Sequence, residues 1–381
     1  MRRARTLVLH GTALCLLGLV AGCGTSMQSH RGASTSGRAE TWIVVRDASS
    51  SRKPTTPTAP ALAVRPAGLA SAPEVLPLAG TRIVVTAIGP IATIERTKVY
   101  AATAGVEAFV SFTPPDSPAK QEWSVQVGNR PLTILVRDRE EAQALASEQA
   151  GVSIISTDAE GRAVIPIGPA GTSSVELGVE TTGLVPWRDG AYELEVPRVP
   201  SGDVAFGADV YGPGPIVVVS SPSHAIDAAP ESLAHLHVKL REPATLRDGD
   251  FVLRYRVDPN GHPGAVVVWP DGAGDIIGLV VHPFEDAHVP VAVSDVRIDW
   301  NGMAVTDVRP AEIGRVAAGT PLVVLARAHG AVTGPITVHV HAGKSERTVT
   351  LVRDEAVPRA GLRALPLLWT RAGHVTVTAR R

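Results

Sequence analysis

Apolar residues in this chain come in short runs of period two, and Gly or Pro cuts each run before a helix could form. TRIVVTAIG stops at Gly89-Pro90, IATIERTKVYA keeps the alternation, and VEAFVSFTP stops at Pro114-Pro115. QEWSVQVGNRPLTILVR turns through Gly128-Asn129, a hairpin signal. GRAVIPIG, SSVELGVETTG and AYELEVPRV continue the pattern, as do PIVVVSSPSHAID, AHLHVKL and DGDFVLRYRVD. Side chains alternate across a strand, so this spacing gives each segment one apolar face to bury. The 36 Gly and 31 Pro in 381 residues supply the turns such strands need. Aromatic residues are only 4%, so Val, Ile, Leu and Ala must fill the cores. The expected fold is mainly β, with two sandwich-like domains.

One segment has helical spacing, from Asp138 to about Ala150. Asp138 is a suitable N-cap, Glu140 and Glu141 sit where the helix dipole favours acids, and Gly151 follows as a stop. Ala142, Leu145, Ala146 and Gln149 share one face.

The N-terminus sets the expected location. MRRARTLVLHGTALCLLGLVAGC has a cationic head at Arg2, Arg3 and Arg5, an apolar run from Leu7 to Val20, and small residues before Cys23. That order describes a secretory leader, 1–22, too short to span a bilayer. Val20-Ala21-Gly22-Cys23 resembles the bacterial lipobox, which implies a lipid on the Cys23 sulfur. Cys15 would leave with the leader, so no intramolecular disulfide is available to the exported chain. The formal net charge is −1 and becomes three units more negative once the three arginines leave. No basic stripe points to nucleic acid. The expected partners are a membrane, through lipidated Cys23, and an unidentified envelope protein.

Residues 23–75 are dominated by Ser, Thr, Ala, Pro and Gly, the composition of a flexible tether. About 50 such residues would reach on the order of 40 Å as a coil. Within them, TWIVVRDASSS places Asp47, Ser49 and Ser51 in the DxSxS order of a metal-ion-dependent adhesion motif, whose carboxylate and hydroxyls suit a hard cation. The following Arg52, Lys53 and Pro54 leave no helix pattern to complete such a domain, and a chance match in a Ser-rich stretch is the reading taken.

Over residues 76–200 the order of segments resembles the VIT domain (vault protein and inter-alpha-trypsin). The residues that carry the likeness are GPIATIERTKVY, VGNRPLTILVRDREEAQALASEQAG, the step Ile165–Gly168, and SSVELGVETTGLVPWRDGAYELEVP. Leu145 departs from the family, which often has an aromatic there. SSPSHAI and DGDFVLRYRV are similar to the segment leading from a VIT domain into a von Willebrand A domain, and SDVRIDWNGM onward is similar to the segment on that domain's C-terminal side. The resemblance therefore implies a missing inserted domain between VVHPF and VSDVRIDW, with Glu285 to Pro290 closing the gap. Insertions are tolerated where their ends lie close together at the surface, so the flanking strands should be neighbours. Residues 201–381 are expected to form one sandwich from the segments 203–284 and 291–381.

Other candidate chemistry is sparse. His235/His237 and His339/His341 are His-x-His pairs whose i and i+2 side chains share one side of a strand, and His282 and His288 lie between them in sequence. They support an alternative reading as a metal-dependent envelope hydrolase. No Cys or carboxylate is spaced to complete four ligands, so the residues alone assign no metal and no cofactor. Asp295 and Asp299 lack nearby hydroxyl pairs. Gly272, Gly274 and Gly278 miss the dinucleotide spacing and mark a hairpin. Ser221, Ser223 and His224 bring hydroxyls near an imidazole without a GxSxG elbow. Trp123, Trp187, Trp269, Trp300 and Trp369 are scattered singly, as core anchors would be. The expectation is a lipid-anchored, non-enzymatic binding or structural module of the cell envelope.

Overall fold

The computed structural model describes residues 40–45, 58–66, 74–76, 78–101, 106–113, 121–127, 130–137, 139–148, 151–157, 162–170, 174–258, 263–272, 274–286, 289–343, 345–353, 357 and 361–372. All of them lie in one compact unit, Gly37–Arg381. The architecture is mainly β, as the alternating runs require.

A ten-stranded sheet organises the first part of the chain. Its order runs Ile226–Ser232, His235–Leu240, Asp203–Tyr211, Leu78–Ile88, Ile91–Tyr100, Val175–Leu184, Gln121–Val127, Arg130–Arg137, Glu40–Val45 and Val152–Ser156. A small cover sheet (Ala163–Ala170, Val106–Thr113, Thr58–Pro66, Glu74–Val75) closes one core over Trp123, Leu132, Ile134 and Leu177. A side sheet (Trp187–Arg188, Ala191–Val196, Phe251–Val257, Ile216–Ser220) closes another over Ile83, Val85, Phe206 and Val238. The boundary expected at 200/201 is therefore corrected. Asp203–Tyr211 lies parallel to Leu78–Ile88 in full register, from Asp203↔Gly80 to Tyr211↔Ile88. Pro200 punctuates the chain without ending a core.

The tether is corrected as well. Glu40–Val45 lies between Arg130–Arg137 and Val152–Ser156, parallel to both. Ile43, Val44 and Val45 are buried. The two flanking strands are joined by α1, Arg139–Glu148, which packs Ala142 over Ile43 and Val45 while Val44 turns into the core under the cover sheet. ETWIVV is a β-branched and aromatic run that a Ser- and Pro-rich average over fifty residues hides. Thr58–Pro66 and Glu74–Val75 are strands too. Helix α1 matches the expected segment, with Glu140 and Glu141 in its first turn; Asp138 lies outside the described residues.

The second sandwich is smaller than expected. Its inner sheet contains Gly264–Trp269, Asp275–Val281, Leu322–Ala328 and Val305–Arg309; its outer sheet contains Val293–Asp299, Ile336–Ala342 and Ser345–Leu351. They share a core of Val266, Ile277, Leu279, Val324, Val338 and Leu351. Residues 203–257 belong to the large sheet and its side sheet instead, because their period-two faces meet Ile83 and Val85. The inner sheet is buried on both faces, which explains why GAVVVW, DIIGLVV and LVVLARA are continuous apolar runs. Its second face carries Val267, Ile276, Val280 and Leu325. A second helix, α2 (Ala364–Ala372), covers that face with Leu365 and Trp369, and Ile88 and Ile91 join from the tip of a large-sheet hairpin.

Close packing under α2 leaves little room for a side chain at Gly278. A Cβ on Gly278 would stand 2.7 Å from Leu365 Cδ2 and 2.9 Å from Val267 Cγ2. Gly278→Ala is expected to cost about 1–3 kcal/mol through overpacking, read as a lowered urea midpoint. An unchanged midpoint would mean that α2 does not sit on this sheet.

Candidate functional site

The connector is a hairpin. Glu285 pairs with Pro290 and Asp286 with Val289, and the Val291 N–H donates to the Phe284 carbonyl at 2.8 Å. Phe284 and Val291 both pack on the second sandwich core. The chain passes here from the inner to the outer sheet, so the two flanking strands face each other across a core.

Beside this hairpin lies a buried polar cluster. His282, 5% exposed, follows the inner-sheet strand Asp275–Val281. Its Nδ1 is 2.5 Å from the Tyr192 hydroxyl, which comes from the side sheet. Tyr255 lies beside Tyr192 at 5.4 Å between ring centroids and donates its hydroxyl to the Gly89 carbonyl at 2.6 Å. Gly89 turns the hairpin with φ +51, and a Cβ there would meet Val280 at 3.4 Å and His282 at 3.8 Å. Trp187 stands edge-on to Tyr192, and Gly319 lies against both Trp187 and Pro290 of the connector. Large sheet, side sheet and second sandwich therefore meet at one polar knot.

Burial sets its protonation. Desolvation raises Tyr192 well above the ordinary phenol range, with Tyr255 adding to the effect, and desolvation also raises Tyr255. Both hydroxyls keep their protons. A hydrogen bond joins the Tyr192 hydroxyl to His282 Nδ1, and the other ring nitrogen is Nε2. That atom, like Trp187 Nε1, is buried without a hydrogen-bond partner. Desolvation pushes His282 down from 6.5 to about 4.

Between these values the unfolded chain binds a proton that the folded chain does not, so stability falls as pH falls. The loss should reach about 3 kcal/mol by pH 4. Urea unfolding at pH 7 and pH 4.5 measures it, with His282→Leu as the comparison. The variant should lose less stability on acidification than the parent; equal losses would show that His282 does not titrate in this window.

The other expected residues are accounted for separately. Cys23, Asp47, Ser49, Ser51 and His288 lie outside the described residues. His235 Nε2 and His237 Nδ1 both converge on Asp209 Oδ1, at 3.1 and 2.9 Å, and Tyr211 stacks on His235 at 4.2 Å. His339 bonds Thr348 at 3.1 Å, whereas His341 lies 3.8 Å from Asp295. Each pair is thus engaged by its own neighbours. Among the described residues no group of three His, Cys, Asp or Glu side chains has the arrangement a metal ion needs. Asp299 accepts the Asn301 N–H in a turn. Ser223 accepts the Val252 N–H and lies 2.8 Å from His224 Nδ1, while His224 Nε2 meets the Thr245 carbonyl at 3.2 Å. That arrangement ties the loop before Ile226–Ser232 to Val252 and Thr245 and fixes a strand step. Gly274 turns the expected hairpin between Gly264–Trp269 and Asp275–Val281 with φ +115.

Tyr192 and Tyr255 escaped attention in the sequence. Their signal is present: the chain has four Tyr, and these two sit at core positions of AYELEV and FVLRYRV. On the surface, Val217 and Val218 of the side-sheet edge and Leu233 (80% exposed) form an apolar group. The Ile216 N–H bonds the Leu233 carbonyl at 2.9 Å, holding the group together, and no charged residue occurs from Gly212 to Ser223.

Compared with family models and with curated proteins, the sequence matches none. No helix of the described residues is long and apolar enough to cross a membrane.

Proposed function

We propose that the chain is a lipid-anchored protein of the bacterial cell envelope, acting as a non-enzymatic protein-binding or structural module with a VIT-like first part. The observation that carries the reading is the leader ending in Val20-Ala21-Gly22-Cys23, followed only 16 residues (24–39) later by a strand built into the large sheet. Sixteen residues reach at most about 55 Å at full extension. The folded body would then be held within a shorter reach of the bilayer than a fifty-residue tether would set. The connector hairpin at Glu285–Pro290 supports the idea of a chain closed where relatives carry an inserted domain. The uncharged group of Val217, Val218 and Leu233 offers an apolar surface to a neighbouring envelope protein.

Labelling cells with a clickable palmitate analogue tests the anchor. The parent chain should take the label and sediment with membranes, and Cys23→Ala should lose both properties. Equal membrane association without the label would remove the lipid from this account. A crosslinked pull-down comparing the parent with Leu233→Glu then tests the surface, with loss of a captured band expected for the variant.

A further inference from the structure

We propose that the gap between Arg130–Arg137 and Val152–Ser156 is a strand-acceptor slot, filled in cis by Glu40–Val45 and able to take the same six residues from a second copy of the chain. The slot's walls are linked in sequence by α1, which packs over the occupant, and Val152–Ser156 is an end strand whose described strand partner is that occupant. Two parallel strands linked by one helix ordinarily lie side by side. Here they stand one strand apart, and Glu40–Val45 makes up the difference.

The slot binds main chain and side chain together. One wall pairs from Glu40↔Leu132 to Val45↔Arg137 and the other from Thr41↔Val152 to Val45↔Ser156. Ile43 and Val45 enter the pocket under α1, and Val44 enters the core under the cover sheet. At the mouth, Arg130 meets Glu40 at 3.5 Å, and the Thr41 N–H reaches the Gly151 carbonyl. This charge pair and the two apolar faces specify direction and register. The sequence that satisfies them is the chain's own.

The next described strand, Thr58–Pro66, is twelve residues away and belongs to the cover sheet. Leaving the slot therefore breaks the slot's contacts and no pairing in the cover sheet. A swapped strand makes the same contacts in trans, so the balance depends on effective concentration. A short connection supplies on the order of millimolar in cis. Crowding of copies shifts the balance toward exchange. Anchoring in a membrane would provide such crowding; this last step rests on the proposed lipidation, whereas the slot does not.

The test uses the full chain with a protease site at Ser49–Ser51, cut after folding and then given a fluorescent peptide of residues 40–47. The cut chain should take up one peptide per chain and refuse the Val44→Asp peptide. The uncut chain should take up roughly tenfold less or lower still. Separately, deleting Ser49–Pro57 leaves three residues between Val45 and Thr58, which disfavours closure in cis, and light scattering should then give twice the chain mass. No uptake after cutting, or equal uptake of the Val44→Asp peptide, overturns the slot. A folded monomer from the shortened chain, an unfolded one, or capture of a different protein without dimer overturns the second-copy assignment. These outcomes are independent of palmitate labelling, so the slot and the anchor fail separately.

Discussion

Ile43→Asp is expected to destabilise the protein by about 4 kcal/mol or more, because it places a carboxylate in a fully buried apolar position. Ile43 is fully buried under α1, between Val45 and Ala142. A typical domain has only about 5–15 kcal/mol in total, so the variant should unfold at a much lower urea concentration or fail to accumulate. Ile154→Thr, on the neighbouring end strand, is the control. Ile154 is 44% exposed, and its loss should stay within about 0.5 kcal/mol. A parent-like midpoint for Ile43→Asp would show that Glu40–Val45 is not in the sheet.

Trp369→Ala should be nearly as damaging, at about 3–5 kcal/mol. The indole closes the second face of the inner sheet with Leu365, against Val267, Ile276 and Leu325. The Arg309 guanidinium lies 4.0 Å from the ring centroid and donates to the Trp369 carbonyl at 2.6 Å. Arg363, at the start of the same C-terminal segment, pairs with Glu180 of the large sheet at 3.0 Å. Losing the ring opens an apolar face and loosens a strap between sheets. The expected signs are a lowered thermal midpoint and increased binding of an apolar dye. Val352→Ser, at an exposed position, should change neither. If the tryptophan variant kept the parent midpoint, α2 would have to be detached from the inner sheet.

The sequence yielded the strands because their period-two faces and Gly or Pro ends are local properties. Gly128-Asn129 is flanked by paired Val127 and Arg130, and α1 falls where its acidic first turn indicated. Three features were not local. Glu40–Val45 was masked by the polar residues around it, although a run of six β-branched, aromatic and polar residues suffices where both of its faces are covered. The boundary after Pro200 was read from punctuation, yet Asp203–Tyr211 returns to pair with a strand some 120 residues earlier in the chain. Helix α2 is short, apolar through its first six residues and contains Pro366, so LRALPLLW carried no helical stripe; its stability comes from the sheet it covers.

The polar knot was half legible. His282 stood out only as a neighbour of the His-x-His pairs, and its partner Tyr192 lies 90 residues away. The knot depends on a meeting of three sheets, which no local spacing encodes. The His pairs show the reverse case: i and i+2 spacing correctly put His235 and His237 on one side, and Asp209 from the adjacent strand uses that side for hydrogen bonds.

Native-state hydrogen exchange read by mass spectrometry at the amides of Ile43, Val44 and Val45 tests the account's core most directly, since both the short leash and the acceptor slot require this strand to be built in. Protection comparable to that of Leu132–Val136 in the adjoining strand is the result expected. Exchange at the rate of a free peptide would return residues 40–45 to the tether and take the slot with them.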